Sequence, residues 1–375
     1  MKSPDRLDAG QLQSLCAVSL LAPALRFCPT AAALAAGRAA WLAMLLALPP
    51  LLLYGAFLWR FLSLRREGEG LDGPLSRAAG EKAAPWLLCL TALWLLFYAG
   101  FSLRAGAERF ITTIYPHSTP AVFVIVLGLL AALAALGPAR TLGRCARLIR
   151  PLLAATLALI LFTALLSARR ENLLPVTPGD LPAALRGSLP AFDVVTGVLL
   201  PGAFLTGALP VGEARGRAAA FALARSVVFL CLLLAAILGA FGAELTASLT
   251  RPFFFLVRNL VFFRSVERVE ALAAALWIFP DFLLVSMTLF AAQLSLRRAL
   301  RFPLDRQIAP VFSLTRGRWL IPLCALAAIA AGLWMAPDQP RFLFLSQRLI
   351  PALNLGFALL VLPGVYALGK GSGRL

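Results

Sequence analysis

Ten stretches of about 20 residues run through this chain with almost no charge, and each is long enough to cross the roughly 30 Å hydrocarbon core of a bilayer as a helix. Seven are clean: residues 39–59, 83–103, 118–139, 319–337 and 349–369, with 151–168 and 226–243 slightly shorter but flanked by arginines that can reach the interface. Three carry an internal charge or break: 11–34 around Arg26, 189–210 around Asp193 and 266–296 around Asp281. Inside lipid every backbone N–H and C=O needs a partner within the protein, so such runs must be helical. The composition agrees, with 61% apolar and 14% charged residues, against about 45–50% and 25% in soluble domains. The expected fold class is all-α, a polytopic membrane protein of about ten transmembrane helices. A soluble enzyme, a disulfide scaffold and a disordered chain are excluded.

The net charge of +18 would suggest nucleic acid in a soluble protein. Here the cations sit between apolar runs and carry no interleaved stacking aromatics, so they read as membrane-surface anchors. With the N-terminus placed in the cytoplasm, the inner segments hold 22 Lys and Arg and the outer ones 12. That bias fits ten spans with both termini inside. The six cysteines have no CxxC spacing and read as small buried apolar residues. A lone His117 excludes an imidazole metal site, and no cofactor is expected. Before residue 11 there is no cleavable signal pattern, and the longest polar loop, 60–82, is too short for a soluble domain. The chain therefore reads as one integral membrane domain, 1–375, with repeat one about 9–168 and repeat two about 187–369.

Ten spans divide into two halves of five, and an odd number per half inverts the second relative to the first, the arithmetic of many secondary transporters. In such folds the ligand site is marked by interrupted helices at matching positions. The first span contains Pro23 and Pro29, and the sixth reads FDVVTGVLLPGAF with Gly197, Pro201 and Gly202. Interior proline removes a helical hydrogen bond, and freed backbone at membrane depth is tolerated where it lines a cavity. The expectation is two inverted five-helix repeats with broken first and sixth helices. Ala22, Pro23 and Ala24 on the first and Thr196 and Gly197 on the sixth are candidate ligand contacts. Half-helix ends suit a small zwitterion such as an amino acid.

Two acids lie within spans, and an ionisable group in lipid is a functional candidate by default. Asp281 reads either as a contact for a cation or a ligand amine, with Ser286 a possible second oxygen for the cation, or as a structural partner of Arg26. Asp193, a few residues into its span, reads as a ligand contact or a solvated interfacial acid. Tyr98 and Ser102, one turn apart, are placed to line the same cavity. Arg104 and Glu108, spaced i, i+4, are expected to form a surface ion pair. The Phe253–Phe255 run, with Phe262 and Phe263, suits a helix in the outer interface. No phosphate loop, dinucleotide fingerprint or nucleophile elbow occurs, so neither catalysis nor a catalytic residue is expected.

Particular strings narrow the reading. GRAAW at 37–41, LRAGAERFITTIYPHSTP at 103–120, ENLLPV at 171–176 followed by GSLP at 187–190, and RVEALAAALWIF at 268–279 running into SMTLFAAQL at 286–294 occur in order along nearly the whole length. In these the chain resembles the permease-like B subunits of spore germination receptors, the endospore germination permease branch of the amino acid, polyamine and organocation transporter superfamily. The resemblance implies a nutrient pocket between the first, third, sixth and eighth helices. It also implies sensing of a germinant such as an amino acid, location in the inner spore membrane, and two partners, a membrane-anchored A-type subunit and a C-type lipoprotein. Arg26 and Asp281 depart from the usual pattern. A cation-coupled amino acid permease is the alternative function.

Overall fold

The computed structural model describes residues 7–113, 117–210, 216–259, 276–302 and 319–375, and over these it is built of helices and connecting turns. Asp8 starts α1 (Ala9–Arg26) with a capping box, its carboxylate accepting from the Gly10 amide and its own amide donating to Gln11. Phe27 interrupts the first span, which resumes as α2 (Cys28–Ala36). Gly37, at φ 54°, then turns the chain into the second span, α3 (Ala40–Leu46) and α4 (Leu48–Leu62). The third span is the long α5 (Asp72–Thr113), bent at Gly80. The fourth and fifth are α6 (Pro120–Leu136) and α7 (Ala139–Leu166).

In the second half, α8 (Leu181–Gly187) and α9 (Leu189–Leu205) form the sixth span and α10 (Gly216–Ser248) the seventh. A short α11 (Pro252–Asn259) precedes α12 (Ile278–Ala299), the eighth. The ninth is α13 (Leu320–Trp334). The tenth joins α14 (Gln339–Phe344), α15 (Ile350–Gly356) and α16 (Leu362–Gly371) through π-helical turns at Leu345–Leu349 and Phe357–Val361. Seven helical stretches are long and apolar enough to cross a membrane, and α6 and α13 are shorter apolar helices. With α1 these account for all ten expected spans.

The breaks are present; of the prolines expected to mark them, Pro29 stands at the first and Pro23 and Pro201 do not. Helix α1 continues through Pro23 and stops at Phe27, while α9 continues through Gly197, Pro201 and Gly202 and is separated from α8 at Ser188. Each interruption instead falls two residues before another proline, Pro29 or Pro190, at the second position of the new helix. A proline there gives up no hydrogen bond, because the first amides of a helix have no partner within it. Pro23 and Pro201 each forfeit one bond, and the packing around them holds the helix.

Burial sorts the helices into an inner and an outer set. Helices α1, α9 and α12 are buried on nearly every face, whereas α7 turns Leu148, Leu159, Phe162 and Leu166 outward, as expected against lipid tails. Lipid is as apolar as leucine, so close backbone approach holds such bundles together. At the crossing of α5 and α13, a Cβ on Gly100 would lie 2.7 Å from the Ala328 carbonyl oxygen, and one on Gly332 would lie 2.8 Å from that of Gly100. The expected interfacial Phe helix is only partly as read. Phe255 is exposed, but Phe253 is buried against Trp277, so α11 packs onto the bundle; Phe262, Phe263 and Arg264 lie outside the described residues.

Candidate functional site

Ten spans bring both chain ends to one face, called here the terminal face. Polar side chains gather at three levels between it and the opposite, far face.

At the terminal face the loop between α4 and α5 folds under α9. The Leu71 amide donates to the Ala203 carbonyl, and the Leu7 amide donates to that of Ala208. Arg65 donates to the carbonyls of Thr206, Leu209 and Pro210 at 2.7–3.2 Å, satisfying groups left open at the end of the helix. Gly70 is needed at this contact, since a Cβ there would lie 2.0 Å from the Phe204 carbonyl oxygen. Glu69 ties the loop to two helices, receiving Arg77 and, from the end of α12, Arg298, each at 2.6 Å.

Burial opposes ionisation of Glu69, but hydrogen bonds from Arg298, Arg77 and the Arg66 amide outweigh it and hold the carboxyl at about 2. Its folded value is thus below the ordinary 4.5. The stability it contributes is complete above that ordinary value and is lost as pH falls from there through about 2. Hydrogen-exchange protection of residues 64–72, corrected for intrinsic rates, should therefore fall as pH drops from about 4.5 towards 2. Glu69→Gln should show the less protected behaviour at every pH; wild-type protection in that variant would remove Glu69 from the latch.

At the middle level the residues converge on Gly197. A Cβ there would stand 3.0 Å from Asn354 Nδ2 and 3.1 Å from Tyr98 Oη, so the bare backbone of α9 lets α5 and α15 close around it. Asn354 Nδ2 donates to Asp193 Oδ1 at 2.8 Å. Among the described residues nothing donates to Asp193 Oδ2, and the buried Asn354 Oδ1 has no partner. Two acceptors are thus uncommitted side by side. The Thr196 hydroxyl donates to the Phe192 carbonyl of its own helix at 2.8 Å. Trp94 stacks on both Tyr98 and Phe357 with rings within 4° of parallel, fixing the tyrosine. Asp193 is therefore a buried, paired acid and not a solvated interfacial one.

Nearer the far face, Asp281 is fully buried between two arginines. Arg26 Nη2 lies 2.9 Å from Oδ1 and Arg109 Nη1 2.6 Å from Oδ2. These are close ion pairs without hydrogen-bond alignment at the carboxylate. Arg26 Nε also donates to the Ala22 carbonyl at 2.8 Å, and its Nη1 points to that of Ser102. Ala22 and Ser102 thus serve Arg26 through their backbones, while the Pro23 and Ala24 side chains make no polar contact. The Ser286 hydroxyl donates to the Phe282 carbonyl of its own helix at 2.7 Å. Arg104 and Glu108 pair as spaced, but in the interior and not at the surface, with Arg251 3.6 Å from the second Glu108 oxygen.

Sequence reasoning missed Asn354 and Arg109. Asn354 is the amide within the otherwise apolar tenth span, a polar group at a depth where one needs a partner. It sits between two π turns, a feature frequent at functional sites. The apolar run ends near Leu103, which puts Arg109 in a loop by sequence, whereas α5 continues to Thr113.

No curated protein matches the chain in sequence. Among solved structures the fold resembles that described as the substrate-bound outward-open state of a Na+-coupled sialic acid symporter. The TM-score is 0.57 at 14% identity, over 98% of this chain and 82% of that one. The likeness shows a transporter fold built on an inverted repeat, and with the apolar helices it makes the chain a multi-pass integral membrane protein. The family described as spore germination protein matches residues 6–338, nearly the whole length, and the chain belongs to that family.

Proposed function

We propose that the protein is the permease-like, ligand-sensing subunit of a spore germination receptor, binding an amine-bearing nutrient such as an amino acid beside Gly197. The family membership over residues 6–338 carries the reading. The ligand class rests on the two uncommitted acceptors, Asp193 Oδ2 and Asn354 Oδ1, with Tyr98 beside them. An ammonium group supplies the donors that both lack and matches the carboxylate charge. Asp281, already held by two guanidiniums, locks the far-face ends of α1, α5 and α12 together in place of contacting the amine. The bias of cations supports a cytoplasmic terminal face. The two repeats, about 9–168 and 187–369, meet around the site, and the chain resides in the inner spore membrane with an A-type subunit and a C-type lipoprotein.

The test is a binding screen of amino acids and their decarboxylated amines on the complex purified through a tag on this chain. Saturable binding that Asp193→Asn abolishes, with both partner subunits retained, is expected. No binding by any amine, or a chain recovered alone, would overturn the reading. The likeness in fold to a Na+-coupled symporter favours a second function, cation-coupled uptake of the same ligand class. Reconstituted vesicles that concentrate the amino acid down an ion gradient would establish it, and binding without uptake would reject it.

A further inference from the structure

Around Arg109 the buried charges do not balance. Among the described residues, Arg26, Arg104, Arg109 and Arg251 face two carboxylates, Glu108 and Asp281, through the ion pairs already described. Over the described residues two positive charges are left over, in a region where Arg109 is 1% and Arg26 2% exposed. An unmatched charge removed from water is costly by several kcal/mol even after relaxation. Side chains avoid such surplus unless something neutralises it.

The donors point to what does. Arg109 uses Nη1 for Asp281, but its Nε and Nη2 have no hydrogen-bond partner among the described residues. The rings of Phe110 and Phe254 lie 5.1 and 5.8 Å from its guanidinium carbon, stabilising the charge without accepting those two N–H groups in hydrogen bonds. Arg251 commits Nη1 to the Thr112 hydroxyl, and among the described residues its Nη2 has the 3.6 Å approach to Glu108 and no hydrogen bond. Adjacent Nε–H and Nη2–H groups of one guanidinium form the fork that receives an anion.

We propose that this cluster binds a small monovalent anion, of the chloride or carboxylate class, on the free edge of Arg109. The anion offsets the buried surplus and joins α1, α5, α12 and the segment bearing Arg251. The site does not depend on the ligand assigned to Gly197, since a free inorganic anion and the carboxylate of an amino acid present the same chemistry.

The test follows the melting temperature of the intact complex in nanodiscs, at fixed ionic strength, as chloride replaces the bulky isethionate ion. A saturable rise of about 3–5 °C is expected. Arg251→Gln removes one surplus cation yet leaves Asp281 with both partners and Glu108 with Arg104. It should weaken the apparent chloride affinity at least about 10-fold, with no loss of stability in isethionate. A flat response in the wild type, or an unchanged affinity in Arg251→Gln, would overturn the proposal. Should that variant fail to fold, broadening of the chloride-35 resonance by the wild-type complex decides, because a bound chloride broadens it and its absence leaves it sharp. Alanine and ethylamine separate the sources of the anion. Chloride displaced by alanine but not by ethylamine identifies a ligand carboxylate in the site, and chloride displaced by neither identifies a resident inorganic ion.

Discussion

Asp281→Asn should destabilise the protein by about 3–5 kcal/mol, because it leaves Arg26 and Arg109 charged and buried without their shared partner. The loss would be read as a fall in melting temperature of the purified complex. Response to a nutrient should weaken with it, since Arg26 ends the half-helix just before the break at Phe27. Arg104→Ala should do far less, although it too removes a buried charge. Glu108 would keep Arg251, and the positive surplus of the cluster would shrink. Equal effects of the two substitutions would strip Asp281 of its special place.

The same physics supplies the control. Replacing a whole buried ionic triad by apolar residues of similar volume is often neutral or stabilising, whereas removing one member is not. The triple variant Arg26→Met, Asp281→Leu, Arg109→Met should therefore recover most of the stability lost in Asp281→Asn. It should not recover the response, because apolar packing would replace the ionic lock between α1, α5 and α12. A triple variant that responds normally would show that the triad is packing alone.

How much of the fold is legible in the sequence follows from the range of the forces involved. The ten spans were legible because water is excluded from the bilayer core, a constraint that acts on every residue of a 20-residue run and leaves a local record. The interruptions were legible as present but not as placed. Proline marks a helix start as readily as a helix break, and only the packing around Pro23 and Pro201 decides that they stay inside while Pro29 and Pro190 begin new helices. Asp193, Gly197 and Tyr98 do come together around Asn354, since an acid and a glycine in an apolar run stand out. Asn354 carries no charge and lies 161 positions from Asp193, a distance over which no periodicity reaches. The Arg109 pairing was hidden for another reason. Charge density, used to end a span, hides a helix that runs on as a buried ionic segment, as α5 does to Thr113.

Asp193 and Asn354 carry the second large effect. Asp193→Asn keeps the shape and removes the charge that an ammonium group would meet. It should lower the affinity for an amine-bearing nutrient at least about 100-fold, in line with the loss of about 3 kcal/mol for a buried charge-assisted hydrogen bond. Stability should change little, because the only donor to this carboxylate among the described residues is a neutral amide. Asn354→Leu removes that donor and the free Oδ1 acceptor, and should weaken binding about 10-fold through loss of orientation. Gly197→Ala tests the geometry without touching a polar atom. Its Cβ would come within 3.0 Å of Asn354 Nδ2 and 3.1 Å of Tyr98 Oη, tight enough to push both aside by a few tenths of an ångström. Binding should fall in that variant while the melting temperature holds, and isothermal titration with the best amine of the screen distinguishes the three. If all three variants bind as the wild type does, the nutrient lies elsewhere in the bundle. If Asp193→Asn alone is silent, the ligand is recognised by its shape and hydrogen bonds and not by its charge, which would favour a neutral nutrient over an amino acid.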